Sequence, residues 1–194
     1  MSWGYRFCVP ANARAEGSED ASAYDGRVVT AGRQLPYLER ISGRARWGTT
    51  RYGITMANGS KSRLFWNAKR EALRTNEQWS RLSRMRVLLP VDAYVESSPT
   101  RRWMAGGRAW VPGLLDPSRS GGIVTITEAA AQGGVPILLT QDAAIAWLDA
   151  NQWEMEALLD GGRVVFEQAD IFLSARLDAE SKASPPSLEK RRAA

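Results

Sequence analysis

The chain has 194 residues, 44% of them hydrophobic, with eight tryptophans, one cysteine, no histidine and a formal net charge of +5. That length suits one domain with a genuine core, and no apolar run approaches a bilayer span. One cysteine excludes an internal disulfide, the missing histidines remove the usual zinc constellations, and Met1 to Phe7 lacks the pattern of a secretory signal, so a cytoplasmic protein without membrane, metal or other cofactor is expected.

In chain order, a first strand is expected at Gly4 to Val9, followed by a small, polar loop over 11 to 26. Arg27 to Thr30 and Arg33 to Ile41 read as strands joined through Ala31-Gly32, with Pro36 marking an edge or bulge. Ser42 to Arg74 reads as a loop-rich basic stretch with its clearest turn at Asn58-Gly59. Thr75 followed by Gln78 has the form of a capping box opening a short helix, with Trp79, Leu82 and Met85 inward. Beyond it, Val87, Leu89, Val91, Ala93 and Val95 alternate on one strand face, with Asp92, Tyr94 and Glu96 on the other.

Arg108 to Leu115 and Ile123 to Thr127 are expected strands, with turns at Gly106-Gly107 and Gly121-Gly122. Thr140 caps a helix over Gln141 to Leu148, and Asn151 with Glu154 caps another ending at Asp160-Gly161-Gly162. Arg163 to Glu167 and Asp170 to Arg176 are the last expected strands, and the Ser/Pro-rich, charged 178–194 should be a disordered tail. Many short strands with a few short helices make an α+β fold around a curved, barrel-like mixed or antiparallel sheet, in one domain over 1–177.

Charge is concentrated in one region. Between Arg44 and Arg86 there are eleven basic residues and two acidic ones, Glu71 and Glu77, which leaves the remainder of the chain net negative. Trp47, Tyr52, Phe65, Trp66 and Trp79 are interleaved with these charges. Such a segment fits a surface that tracks phosphates and stacks bases. Composition alone fits better a solvated basic face over core tryptophans.

Two spaced motifs narrow the reading. Asn67-Ala68-Lys69-Arg70-Glu71 resembles an Asn-Ala-Arg-x-Glu signature, and Val91-Asp92-Ala93-Tyr94-Val95-Glu96 resembles an Ala-Asp-Gly-Trp-x-Glu signature, both of the SOS-response-associated peptidase (SRAP) domain family. Trp47-Gly48, the run Gly122 to Ala131, Pro136 to Thr140 before a Trp147-Leu148 helix, and Ile171 to Ser174 follow that family's order. The resemblance implies its fold over 1–177 and a protein that senses abasic sites in single-stranded DNA. Family members couple covalently to such sites through an N-terminal cysteine exposed when Met1 is removed.

Carried onto this chain, the resemblance implies a site made of Ser2, Asn67 and Glu96. Ser2 takes the cysteine's place. Its α-amine, titrating near about pH 8, would still form a Schiff base, but a hydroxyl is a far poorer nucleophile than a thiol for closing the stable ring. Asn67 corresponds to the asparagine that hydrogen-bonds the opened sugar, and Glu96 to the glutamate that handles protons. Lys69 replaces a phosphate-gripping arginine, keeping the charge and losing the bidentate fork. Arg70, Arg74, Arg81 and Arg84, with Trp47 and Trp66, are further candidate DNA contacts. Cys8 reads as a core residue.

The family's histidine has no counterpart between Ala131 and Pro136, so no side chain there titrates near neutral pH. The expected partner is therefore single-stranded or junction DNA, held by a divergent family member with weak, reversible chemistry. A non-catalytic single-stranded-DNA-binding module is the alternative. A peptidase, as the family name implies, lacks any Ser/His/Asp or Cys/His arrangement here, leaving Ser-Lys or N-terminal-nucleophile variants.

Overall fold

The computed structural model describes residues 4–11, 13, 20–58, 61–95, 102–118, 121–130, 133–151, 154–161 and 167–168. Ser2, Glu96, the expected strand from Asp170 to Arg176 and the expected tail lie outside them. The fold is α+β, with a strongly curled, mainly antiparallel half-barrel sheet and a few short helices.

Strands β1 (Gly4–Phe7), β2 (Val28–Thr30) and β3 (Gln34–Ile41) fall where alternation places them. The loop-rich reading of residues 42 to 74 is corrected. That stretch forms β4 (Arg44–Arg51), β5 (Ile54–Asn58), β6 (Lys61–Phe65), β7 (Asn67–Lys69) and the single-turn helix α1 (Ala72–Thr75). Charged side chains on the solvent face hide the strand pattern, while the main chain pairs along all of β4 with β3, from Ile41 opposite Arg44 to Gln34 opposite Arg51.

Helix α2 (Glu77–Leu82) is capped one residue later than the capping-box pattern implies. The Asn76 side chain accepts from the amides of Gln78 (3.0 Å) and Trp79 (3.3 Å), because Asn76 has the extended backbone a cap requires. Thr75 instead ends α1 and donates its hydroxyl to the Glu71 carbonyl at 3.4 Å. Trp79 and Leu82 are buried as expected, but Met85, beyond the helix end, is 39% exposed.

Strand β8 (Arg86–Val95) pairs with β9 (Arg102–Leu115) on one side and with β1 and β3 on the other. Its simple two-face alternation is corrected by a β-bulge. Arg6 pairs with Ala93 and Phe7 with Val91, so Asp92 is an extra residue that reverses parity. Tyr94 consequently packs in the same core as Val87, Leu89 and Val91. Gly106-Gly107 is not a turn between strands: it lies within β9, where the partners step from Ala109 opposite Val91 to Met104 opposite Ala93.

The remaining elements are β10 (Ile123–Ala130), β11 (Gly133–Pro136), α3 (Gln141–Asp149), α4 (Glu154–Gly161) and β12 (Glu167–Gln168). Thr140 caps α3 through the Ala143 amide. Asn151 and Glu154 cap α4 reciprocally, at 2.8 and 3.0 Å. The main sheet has the order β11-β10-β9-β8-β1-β2, with β7 parallel to β10, β12 on β9, and the β3–β4 pair joined through β8; β5 and β6 form a separate two-stranded ribbon.

Curling separates two cores. On the concave side lie Tyr5, Phe7, Leu35, Tyr52, Leu89, Val111 and Ile123; on the convex side Leu88, Trp110, Leu114, Val124 and Ile126 pack under the helices, with Trp147 fully buried. Each central strand alternates between them, as a sheet covered on both faces must.

Candidate functional site

A polar stripe runs along one part of the concave core. Valine and isoleucine at 124 and 126 of β10 turn to the helices, so Thr125 and Thr127 turn inward, both buried. Asn67 and Lys69 of β7 are their register partners. Ala68, opposite Ile126, packs on the helix side, which puts Asn67 and Lys69 on the same side as the threonines. Asn67 is half-buried and donates from Nδ2 to Thr127 Oγ1 at 3.5 Å, a long bond; Lys69 is exposed.

Beneath this pair the hydroxyls of Tyr5 and Tyr52 converge on Thr125 Oγ1, at 3.1 and 3.3 Å, and Thr125 Oγ1 donates to the Trp66 carbonyl at 3.3 Å. One donor and two acceptor sites are all a threonine hydroxyl has, so the set is satisfied. Burial raises the Tyr5 phenol to about 12 and the Tyr52 phenol well above its usual 10, the hydrogen bonds to Thr125 opposing burial in both. Both rings are therefore neutral donors at physiological pH.

This network crosses the barrel. Tyr5 is on β1 and Thr125 on β10, with β8 and β9 between them in the sheet order, so their side chains meet only because the sheet curls. The Tyr5 hydroxyl is thereby brought to Thr125, the register partner of Asn67. Gly4 is the register partner of Val95; the positions of Ser2 and Glu96 lie outside the described residues. Next to this pair, the Arg6 guanidinium grips the bulged Asp92 bidentately at 2.7 and 2.5 Å.

The other candidate contacts divide into two groups. Arg70 is half-buried and bidentate on Asp160 at 2.6 and 2.7 Å, with Glu128 at 3.8 Å, and these acids raise its pKa above the ordinary arginine value. It fastens the end of β7 to α4. Arg74 pairs with Glu156 at 2.8 Å. Trp47 is half-buried against Trp110, ring centroids 6.4 Å apart, and Trp66 packs partly on the concave core.

Lys69, Arg81 and Arg84 carry no acidic partner among the described residues. Arg81 and Arg84 line an open polar cleft of about 570 Å³ beside α1 and α2, with Arg74, Thr75, Glu77 and Ser80. The structure thus brings together Asn67 and Lys69, and separately Arg74, Arg81 and Arg84. No cluster of metal-ligating side chains occurs among the described residues, nor any helix long and apolar enough to cross a membrane.

Tyr52 and Trp79, read among aromatics that could stack bases, are instead buried; Tyr5, Thr125 and Thr127 escape the sequence reading. Their only signal is threonine alternating with valine and isoleucine over 123–127, which marks a strand with one polar face but not what that face meets.

No family model and no curated protein matches the chain. Among solved structures, it is similar to a phage-related protein from Bordetella bronchiseptica, with 15% identity over 87% of this chain and 93% of that one and a TM-score of 0.63. It is also similar to a second Bordetella bronchiseptica protein, with 15% identity over 87% and 99% of the two chains and a TM-score of 0.65. At that identity the likeness is one of fold.

Proposed function

We propose that this protein binds single-stranded or junction DNA at abasic sites, with Asn67 hydrogen-bonding the opened sugar and the N-terminal amine, freed by removal of Met1, forming a weak, reversible Schiff base. The SRAP resemblance motivates the reading. The observation that supports it is the Tyr5–Thr125 hydrogen bond, which links the N-terminal strand to the strand paired with Asn67.

In the chemical step the amine nitrogen of Ser2 adds to the aldehyde carbon of the ring-opened deoxyribose, and water leaves as the C=N bond forms. Glu96 would carry the proton. Without a thiol the imine hydrolyses back. Phosphates would be met by Lys69, Arg81 and Arg84, whose charges no described acid neutralises. Arg70 and Arg74, already ion-paired, would contribute field rather than free donors.

The test uses single-stranded DNA containing an abasic site. The native chain is expected to give almost no heat-stable adduct, borohydride is expected to trap one by reducing the imine, and Ser2→Cys is expected to make the adduct stable without reductant. Failure of both borohydride trapping and Ser2→Cys would leave only the non-catalytic DNA-binding reading. Charge reversal at Lys69 and Arg84 together should weaken DNA binding and flatten its log-log salt slope by about 0.7 per lost phosphate contact. An unchanged titration would remove DNA binding through these residues.

A further inference from the structure

The β5–β6 ribbon belongs to neither the main sheet nor the polar stripe, yet its second strand runs through Phe65 and Trp66 directly into Asn67. We propose that this ribbon is a phosphate-gripping arm that holds the nucleic-acid strand beside Asn67 through Lys61 and Arg63. The proposal rests on the DNA-binding reading above and adds a contact surface to it.

The ribbon is built as an arm. Its register pairs Ile54 with Phe65, Met56 with Arg63 and Asn58 with Lys61, and cross-strand partners share a face. At the base of that face Ile54 is 1% exposed, and Phe65 packs edge-on to Trp79 with centroids 6.5 Å apart. Toward the tip Lys61, Ser62 and Arg63 are all exposed. The Arg63 guanidinium lies 5.3 Å from the Phe65 ring centroid, which steadies its stem without neutralising its charge.

Neither Lys61 nor Arg63 has an acidic partner among the described residues. Two same-face cations on a ribbon whose base is anchored in the helix-side core, beside Ala68, complement a polyanionic backbone. A membrane surface fits less well: among the described residues the exposed large hydrophobic ones are Ile41, Met85 and Ile145, none of them on the ribbon. Lysine on a strand edge can also serve to prevent edge-to-edge association, a role that would leave salt-dependent DNA binding untouched.

The experiment measures binding of a fluorescein-labelled single-stranded oligonucleotide across a salt series to the native chain and to Lys61→Gln/Arg63→Gln, with Lys61→Arg/Arg63→Lys as the charge-keeping control. The glutamine pair is expected to bind at least about tenfold more weakly at low salt, with a log-log slope shallower by about 1.4, and the control to match the native chain. Borohydride trapping at saturating abasic DNA should stay unchanged, because Asn67 and the amine are intact. A glutamine variant with the native slope overturns the ribbon while leaving the abasic-site reading standing; a native chain that neither binds nor traps overturns both. Loss of binding to anionic phosphatidylglycerol vesicles with no change on DNA would also overturn it in favour of a membrane contact.

Discussion

Thr125 carries more structural consequence than any residue that the motifs single out. Its hydroxyl satisfies two buried phenols and one backbone carbonyl, so strands β1, β7 and β10 and the Tyr52 bridge are tied at one point. The raised tyrosine pKa values have a direct consequence for stability. An unfolded chain releases tyrosine protons near pH 10, whereas folded Tyr5 holds its proton to about 12. Above pH 10 the unfolded state binds fewer protons than the folded one, so stability falls as pH rises, and below pH 10 this contribution is fully present. Each such tyrosine steepens the fall by up to about 1.4 kcal/mol per pH unit. Urea unfolding of Tyr5→Phe between about pH 9 and 11.5 should show a shallower alkaline decline than the native chain; equal slopes would refute the assignment. Asn67 stood out as a candidate because a short contiguous motif carries it. Tyr5 was not, because its partner is 120 residues away.

Elements are joined at places where only a backbone fits. A Cβ on Gly122 would stand 2.4 Å from the carbonyl oxygens of Arg51 and Gly53, and no rotamer relieves a contact with main chain. Here β10 begins against the β4–β5 connection, with the Gly53 amide donating to the Ile123 carbonyl at 2.7 Å and Tyr52 bridged to Ile123. Gly122→Ala is therefore expected to cost about 3 kcal/mol or more. Gly161→Ala, where an added Cβ meets nothing within 4 Å, should stay within about 0.5 kcal/mol of the native chain. Urea midpoints compare the two, and similar losses would contradict the close approach. Helix caps were readable to within a residue, as Thr140 and the Asn151/Glu154 pair show and the step from Thr75 to Asn76 qualifies. The four strands hidden in the basic stretch were not readable, since their pairing partners and solvent-facing charges set the structure more than local pattern did.

Over the whole molecule the two cores share one sheet. Val87, Leu89 and Val91 of β8 face the concave core while Leu88 faces the helices, and the Trp147 indole donates to the Val87 carbonyl at 3.2 Å from the helix side. Neither core can loosen without releasing β8, so unfolding should be a single transition. Trp147→Ala should cost about 3–5 kcal/mol, a large part of an ordinary domain's stability. Far-ultraviolet circular dichroism and tyrosine fluorescence should still report the same urea midpoint in that variant. A helix-side transition preceding the tyrosine transition would show the cores to be separable.

Local rules reach only a few residues, and what they govern was settled by the order of amino acids: alternation in β1, β3 and β10, the caps of α3 and α4, and the buried face of α2. Pairing across the curled sheet determined the rest. The bulge at Asp92 turned Tyr94 inward, the approach of α4 to β7 gave Arg70 to Asp160 in place of an open solvent position, and closure of β1 toward β10 assembled the tyrosine–threonine network next to Asn67. Strand twist and curvature accumulate over the whole sheet, so which distant side chains meet depends on the summed geometry of every strand between them.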